Sequence, residues 1–245
     1  MALDIKLALL LPLIVAIIVV YDVIQTRRLI AIGIEQTNRT LPFERRLDQA
    51  EQHFLVVGDS SGVGVGANPP QGSIAGRLAT DFPTADIRNL AVSGSRVKDA
   101  IKQLESLPSD ANFDLIVIQI GGNDIVRRTA YVELEQAIPQ LLELANQHSP
   151  RVVQLTSGNV GTSRLLPFGT RWYFTWRTKQ VRKIFLRLDA EYQVTYVDLL
   201  RKRSLDPYAQ NPKKYYSPDF FHPSADGYGD WYSFFQPRVI ELLQN

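Results

Sequence analysis

The sequence predicts an α/β fold, a parallel sheet with helices on both faces, from three observations. Short apolar runs rich in β-branched residues recur along the chain, as strands buried on both faces require. Segments of helical length stand between these runs, and regular strand–helix alternation is the mark of a parallel sheet. Gly58-Asp59-Ser60, Asn89-Leu90-Ala91-Val92-Ser93-Gly94 and Gly121-Gly122-Asn123-Asp124 each come at the end of such a run. Strand ends are where α/β sheets present their chemistry.

The chain starts with a feature outside that pattern. Residues 7–21 are uncharged and apolar, flanked by Lys6 and Asp22 and extended by Val23 and Ile24. A bilayer span takes about 20 apolar residues, so residues 1–24 read as a short membrane anchor, a transmembrane helix whose flanking charges snorkel to the interface. A cleaved signal peptide, with an apolar region of about 7–15 residues, is the rival. Asp22-Val23-Ile24-Gln25-Thr26-Arg27-Arg28 offers it no small-x-small cleavage site. Lys6 and the amino terminus on one side against Arg27, Arg28 and Arg39 on the other lean, by one charge, toward a cytoplasmic catalytic domain. Residues 25–52 mix charged and apolar positions and read as a juxtamembrane connector without core residues.

From residue 53 to 245 the alternation is regular. Strands are expected at 54–57, 87–92, 115–120, 152–156 and 194–197. Helices are expected at 73–81, 97–107, 131–147, 171–192 and 225–243. The second shows the 3.6-residue period clearly, with Val97, Ala100, Ile101, Leu104 and Leu107 on one face. Roughly 190 residues beyond the N-terminal segments suit one well-buried domain rather than two, hence a single three-layer α/β/α sandwich.

Composition narrows the chemistry. A net charge of +2 gives no global attraction to nucleic acid. The chain has no cysteine, which removes disulfides, thiolate metal sites, a cysteine nucleophile and a lipidated N-terminal cysteine. Its 3 histidines lie far apart, without the spacing of a metal site. Gly62-Val63-Gly64-Val65-Gly66-Ala67 fits the dinucleotide pattern on its face, but the context is wrong. It begins several residues past the strand, and Pro69 and Pro70 interrupt the helix that should receive the pyrophosphate. The second strand ends in Ala91-Val92-Ser93, without the ribose-binding acid.

A serine, a base, an orienting acid and oxyanion donors together make a serine hydrolase. His53 precedes the first strand, at the wrong end of the sheet, and His148 falls in the last turn of a helix, where it complements the dipole. His222 remains, with Asp219 one turn upstream and Pro223 fixing the backbone after it. Ser60 occupies the strand-to-turn junction, with Ser61 its competitor as nucleophile and otherwise a turn or cap residue. Asp59 is better suited to bonding nearby backbone N–H groups than to catalysis. Gly94 offers an unobstructed N–H or a simple strand-to-helix turn; Asn123 offers a side-chain amide or an Asx turn.

Taken together, Gly58-Asp59-Ser60-Ser61, Asn89 to Gly94, Gly121-Gly122-Asn123-Asp124 and Asp219 to His222-Pro223 resemble, in order, the four blocks of the SGNH (GDSL-type) serine esterase and lipase family, which includes bacterial lysophospholipases and acyl thioesterases. The resemblance covers residues 54–230. It implies a five-stranded flavodoxin-like sheet of order 2-1-3-4-5, Ser60 as nucleophile, and Asp219 and His222 completing the triad. It also implies that Ser60 N–H, Gly94 N–H and the Asn123 amide hold the oxyanion, with no cofactor or metal. One departure is Ser61, where the family has leucine, which makes that wall more polar. The expected reaction is hydrolysis of an acyl ester, of a lipid type such as a lysophospholipid or acyl thioester. The alternatives are a carbohydrate O-acetylesterase with the same triad and a membrane-tethered binding protein without turnover.

Residues 146–188 contain no acid, while Arg151, Arg164, Arg171, Arg177, Lys179, Arg182, Lys183 and Arg187 interleave with Trp172, Tyr173, Phe174 and Trp176. With Phe174, Val181, Phe185 and Leu188 turned inward, the basic residues read either as a solvated face or as a surface for anionic lipid headgroups, in keeping with an anchor.

Overall fold

The computed structural model describes the backbone of residues 2–244 and the side chains of residue 10 and residues 12–244. In chain order the elements are α1 (Ala2–Arg39), β1 (Gln52–Gly58), α2 (Ser60–Val63), α3 (Ile74–Asp81), β2 (Ala85–Asn89), α4 (Val97–Glu105), β3 (Leu115–Gln119), α5 (Gly122–Val126), α6 (Tyr131–His148), β4 (Val152–Leu155), α7 (Arg171–Glu191), β5 (Thr195–Val197), α8 (Pro207–Gln210), α9 (Pro212–Tyr215) and α10 (Ala225–Gln244). All strand pairs are parallel, in the order β2-β1-β3-β4-β5. Phe54 pairs with Leu115, Ile116 with Val152, and Val153 with Thr195.

Strand alternation divides the core in two. Leu55, Val57, Ile116 and Ile118 face α4, α6 and α7, meeting Leu104, Ile138, Leu141 and Phe185. Phe54, Val56, Leu115 and Val117 face the other way, meeting Ile74 and Leu78 of α3 and Tyr228, Trp231 and Phe235 of α10. Burial on both faces is why these strands carry no polar alternation. The expected three-layer α/β sandwich and strand order are the observed ones, with boundaries shifted by one or two residues at most ends. The second strand shifts furthest: it stops at Asn89, and residues 90–92 continue only as a ribbon, through Leu90 N–H to Val56 O and Val92 N–H to Gly58 O.

The membrane-anchor expectation is overturned. Among the described residues, no helix is long and apolar enough to cross a membrane. The apolar stretch is the first part of α1, which runs on through Asp22, Arg27, Arg28, Glu35 and Arg39 and carries Pro12 inside it. Within the described part of the helix, Asp22, Arg27 and Arg28 follow close behind the apolar residues. The Lys6 side chain, expected at the interface, lies outside the described residues. Asp22 instead accepts the Phe168 N–H at 3.1 Å, and buried Gly33 packs beside Asp219. With the anchor goes the cytoplasmic placement that rested on it.

The basic face for anionic headgroups is corrected as well. Arg177 is buried, and its guanidinium donates to the carbonyls of Ile125 at 3.0 Å, Asp124 at 3.4 Å and Thr129. Those carbonyls lie at the end of the short helix α5 and in the turn after it, and the guanidinium gathers them from one side. Arg182 pairs with Asp198, and Arg187 with Glu135 at 2.9 Å. Val181, Phe185 and Leu188 are buried as expected, and Phe174 is partly buried. Asp189, on the same helix, is fully buried with no partner for either oxygen, and burial pushes its carboxyl up to about 8.

Residues 43–47 belong to the domain, contrary to an inert connector. Arg45 and Ile87 exchange backbone hydrogen bonds of 3.1 and 2.7 Å in an antiparallel bridge that covers the edge of β2. Phe43 packs on the core behind β2. The Arg45 guanidinium donates to the carbonyls of Ala85, Ala79 and Phe82, satisfying the end of α3 and the turn after it. Arg45→Met should therefore cost about 2–4 kcal/mol, because it leaves several part-buried carbonyls unpaired. Urea unfolding measures this; an unchanged midpoint would return residues 43–47 to the role of a linker.

Candidate active site

The site is built at the tip of β1. Gly58 has φ 144° and lies so close to β3 that a Cβ would come within 1.9 Å of the Gln119 carbonyl oxygen, so no other residue fits. Asp59 N–H donates to that carbonyl at 2.9 Å, and the chain then turns into α2. The Asp59 side chain caps the turn, its Oδ1 accepting Ser61 N–H and Ser61 Oγ–H at 2.8 Å each. Ser61, the rival nucleophile, is committed to this cap. Ser60, at the first position of α2, is left with its hydroxyl facing the cleft.

At the other end of the chain, the loop between α9 and α10 brings up the base. Tyr216 bridges to Pro223, and Ser217 N–H donates to His222 O at 2.8 Å, closing the loop. His222 Nε2 lies 2.9 Å from Ser60 Oγ, and His222 Nδ1 lies 2.5 Å from Asp219 Oδ2. The carboxylate fixes the tautomer: Nδ1–H donates to Asp219, leaving Nε2 to accept the serine proton. Asp219 is completely buried, and its Oδ1 also accepts Ser217 Oγ–H at 2.8 Å, Phe221 N–H at 2.9 Å and His222 N–H at 3.0 Å. Burial alone would raise this carboxyl. The His222 hydrogen bond and charge, with the Phe221 and Ser217 donors, outweigh burial and hold it below the ordinary value.

Asn123 opens α5 just past β3 and lines the same cleft as Ser60 and His222. Its Nδ2 donates to Ser95 O at 3.0 Å, which leaves a second amide N–H available. Gly94 is the next residue along that tethered turn, but it lines a neighbouring depression with Ser93 and Ser95 rather than the cleft itself. The structure thus gathers Ser60, Asn123 and His222 around one cleft, with Asp219 behind and Gly94 alongside. Among the described residues no cluster of His, Cys, Asp or Glu is arranged to hold a metal. Of the remaining histidines, His148 is buried with Nδ1 2.8 Å from Ala111 O, and His53 is half exposed beside Asp86 at the opposite end of β1.

Several positioning residues escaped the sequence reading. Gln103, buried on α4, accepts Gly58 N–H at 2.8 Å and donates to Gly58 O at 2.9 Å and Ser95 Oγ at 3.2 Å. One side chain therefore ties the nucleophile strand to the Gly94 turn. Asn89 donates to Gly62 O at 2.9 Å and accepts Ala91 N–H at 3.0 Å, bracing α2 from below. Arg177 braces α5. The only sequence signal for Gln103 was its place within an otherwise apolar helix face.

The cleft that Ser60 and His222 line holds about 660 Å³ of empty space, counted out through its open mouth and including solvent. Val160, Leu199, Tyr216, Phe221 and Trp231 supply apolar wall; Asn159, Arg201 and Asp206 supply polar wall.

The GDSL-like lipase/acylhydrolase family matches residues 56–229, which include all four motif blocks. Esterase TesA of Pseudomonas aeruginosa is 31% identical over 109 residues, 43% of this chain and 54% of that protein. The match thus spans about half the length of that curated relative. Among solved structures, TesA aligns with a TM-score of 0.62 at 22% identity, covering 78% of this chain and 99% of its own. An extracellular lipase from Streptomyces rimosus gives 0.58 at 18% (76% and 99% covered), and an acetylxylan esterase from Geobacillus stearothermophilus 0.55 at 17% (79% and 94%). At such identities the structures speak to the fold. The family match decides membership: this chain belongs to the GDSL-like lipase/acylhydrolase family.

Asp59 supplies a test of the site's electrostatics. Burial pushes its carboxyl up to about 6, against the Ser61 hydrogen bonds and the charge of His222, which lower it. A folded value above the unfolded one of about 3.9 means that ionisation costs stability as pH rises from about 4 to 6, with the cost full above that window. Asp59→Asn keeps the acceptor for Ser61 and removes the cost. Urea unfolding should show a gain of about 1–3 kcal/mol at pH 8 that vanishes near pH 4. An equal gain at both pH values would mean that the charge is not its source.

Proposed function

We propose that this protein hydrolyses carboxylic acyl esters through an acyl-enzyme on Ser60. The observation that carries the proposal is the unbroken Ser60–His222–Asp219 chain ending in a fully buried carboxylate. His222 Nε2 takes the Ser60 proton as Oγ attacks the carbonyl, and Asp219 stabilises the imidazolium that forms. The tetrahedral oxyanion is received by Ser60 N–H and the free N–H of Asn123, donors fixed before the reaction and therefore effective as charge develops, with Gly94 N–H joining them if the turn that Asn123 tethers closes toward the cleft. His222 returns the proton to the leaving alcohol or thiol, then activates water to release the acid.

The substrate we favour is a lipid-type acyl ester, such as a lysophospholipid or acyl thioester. The apolar and aromatic wall formed by Val160, Leu199, Phe221 and Trp231 suits an acyl chain, and the curated relative is named an esterase. Arg201, Asp206 and Asn159 on the same cleft favour a second reading, a carbohydrate O-acetylesterase, in which they meet sugar hydroxyls. A nitrophenyl ester series separates the two: activity rising toward longer chains supports the first, and activity confined to acetate supports the second.

Ser60→Ala and His222→Ala should each lower kcat by about 10⁴-fold or more, and the double variant should be no worse, because the groups act as a unit. Ser60→Ala should also lose labelling by a fluorophosphonate; retained labelling would move the nucleophile elsewhere. Asn123→Ala should lower kcat about 10²–10³-fold with KM nearly unchanged. A defect mainly in KM would make Asn123 a substrate-binding residue instead.

A further inference from the structure

Helix α1 lies wholly before the stretch that matches the family, residues 56–229, yet it reaches the back of the triad. Ser217 Oγ lies 2.8 Å from Asp219 Oδ1 and 3.2 Å from Oε1, the terminal amide oxygen of Gln36. One turn earlier on the same helix, a Cβ added to Gly33 would come within 3.0 Å of Asp219 Oδ2, the oxygen that holds His222. Gly33 is buried, and its missing side chain lets the helix backbone close over the carboxylate.

We propose that Gln36 and Gly33 of α1 are positioning residues for the catalytic acid, acting on Asp219 through Ser217 and through direct cover. A serine hydroxyl has one proton to give. The buried Asp219 carboxylate has the stronger claim on it, since a charged acceptor outweighs a neutral amide oxygen. With the proton on Asp219, an amide oxygen facing Ser217 Oγ would be two acceptors without a hydrogen between them. The amide oxygen and nitrogen differ little in outline, so the network assigns the N–H, not Oε1, to the position facing Ser217, giving a polarised chain: Gln36 N–H to Ser217 Oγ, Ser217 O–H to Asp219 Oδ1, and His222 Nδ1–H to Asp219 Oδ2. Such a chain strengthens each member and disperses charge from Asp219, which sets how strongly that carboxylate holds the imidazolium.

The inference rests on Ser60, His222 and Asp219 acting as the triad, and its test is separate from theirs. In the full chain, Gln36→Leu should lower kcat about tenfold, roughly the worth of one hydrogen bond, with KM and Tm retained. Gln36→Glu, of equal size, takes the Ser217 proton from Asp219 and adds negative charge behind it. That binds the imidazolium more tightly, so the acid limb of kcat/KM should move up by about 0.5 pH unit or more. The other titratable groups within electrostatic reach of Asp219, His222 or both are Asp59, Tyr216 and Tyr228, and Glu35 on α1 is exposed and paired with Arg39. All are common to every variant. Losses from Gln36→Leu and Ser217→Ala should not add in the double variant, since Ser217 carries the effect. Gly33→Ala places a better helix former in α1, so a fall in kcat with Tm kept or raised cannot come from unfolding. This variant carries the test if Gln36→Leu fails to fold. Unchanged kcat in Gln36→Leu, additive losses, or equal acid limbs for Gln36→Leu and Gln36→Glu would overturn the inference. Turnover surviving Ser60→Ala would instead remove the triad beneath it.

Discussion

The tip of β1 is the constraint on which the site depends. A central strand has both edges hydrogen-bonded, so it can leave the sheet only where its backbone groups find other partners. Gly58 is where this happens. Its N–H and C=O pass to the Gln103 side chain, and its bare Cα clears the Gln119 carbonyl of β3. The next N–H, that of Asp59, returns to that same carbonyl, and the one after belongs to Ser60. A side chain at position 58 would push β1 from β3 and displace the nucleophile with it. Gln103 also holds Ser95, whose carbonyl holds Asn123. Ser60 and Asn123, the proposed nucleophile and oxyanion donor, are thus referred to one point of the sheet.

Three buried aspartates show how partners, not burial, decide what a carboxylate does. Asp219 has four donors, one of them an imidazole, and stays ionised below its ordinary range. Asp59 is as enclosed but is served only by Ser61, and rises to about 6. Asp189 has no donor and rises to about 8, so near neutral pH it is largely the uncharged acid. Of the three, Asp219 alone touches the His222 imidazole, and its donors hold the negative charge in place before the proton moves. Asp189 lies on the far face of the sheet, among α7 residues that do no chemistry, where its cost is one of stability alone.

What was legible in the sequence follows from how local each signal is. Strands buried on both faces must be apolar throughout, so β1 and β3 announce themselves by composition. His222 could be reached by elimination because the chain has only 3 histidines, and the other two fall where a strand start and a helix end already explain them. Arg177 was misread for the opposite reason. A positive charge in a basic tract looks like surface, and only the fold shows that it is buried against three carbonyls in and after α5. Gln103 and Arg45 were missed for the same cause: each serves backbone groups far away in sequence, and pattern alone does not carry such partners.

The N-terminal helix is the sharpest case. Its apolar beginning and charged continuation read as anchor and connector because each half was weighed by itself. As one helix the halves have a different logic. The loop that carries Asp219 and His222 lies beyond the sheet, where no strand shields it. Yet a carboxylate that orients a histidine works best where water does not compete for its oxygens. Asp219 has no exposed surface, and part of its cover is the backbone of α1 at Gly33. Side chains on the turn that follows either touch the loop, as Gln36 does, or pair among themselves in solvent, as Glu35 and Arg39 do. The second half of α1 thus meets the domain at Gly33 and Gln36, where it adds to the cover over Asp219.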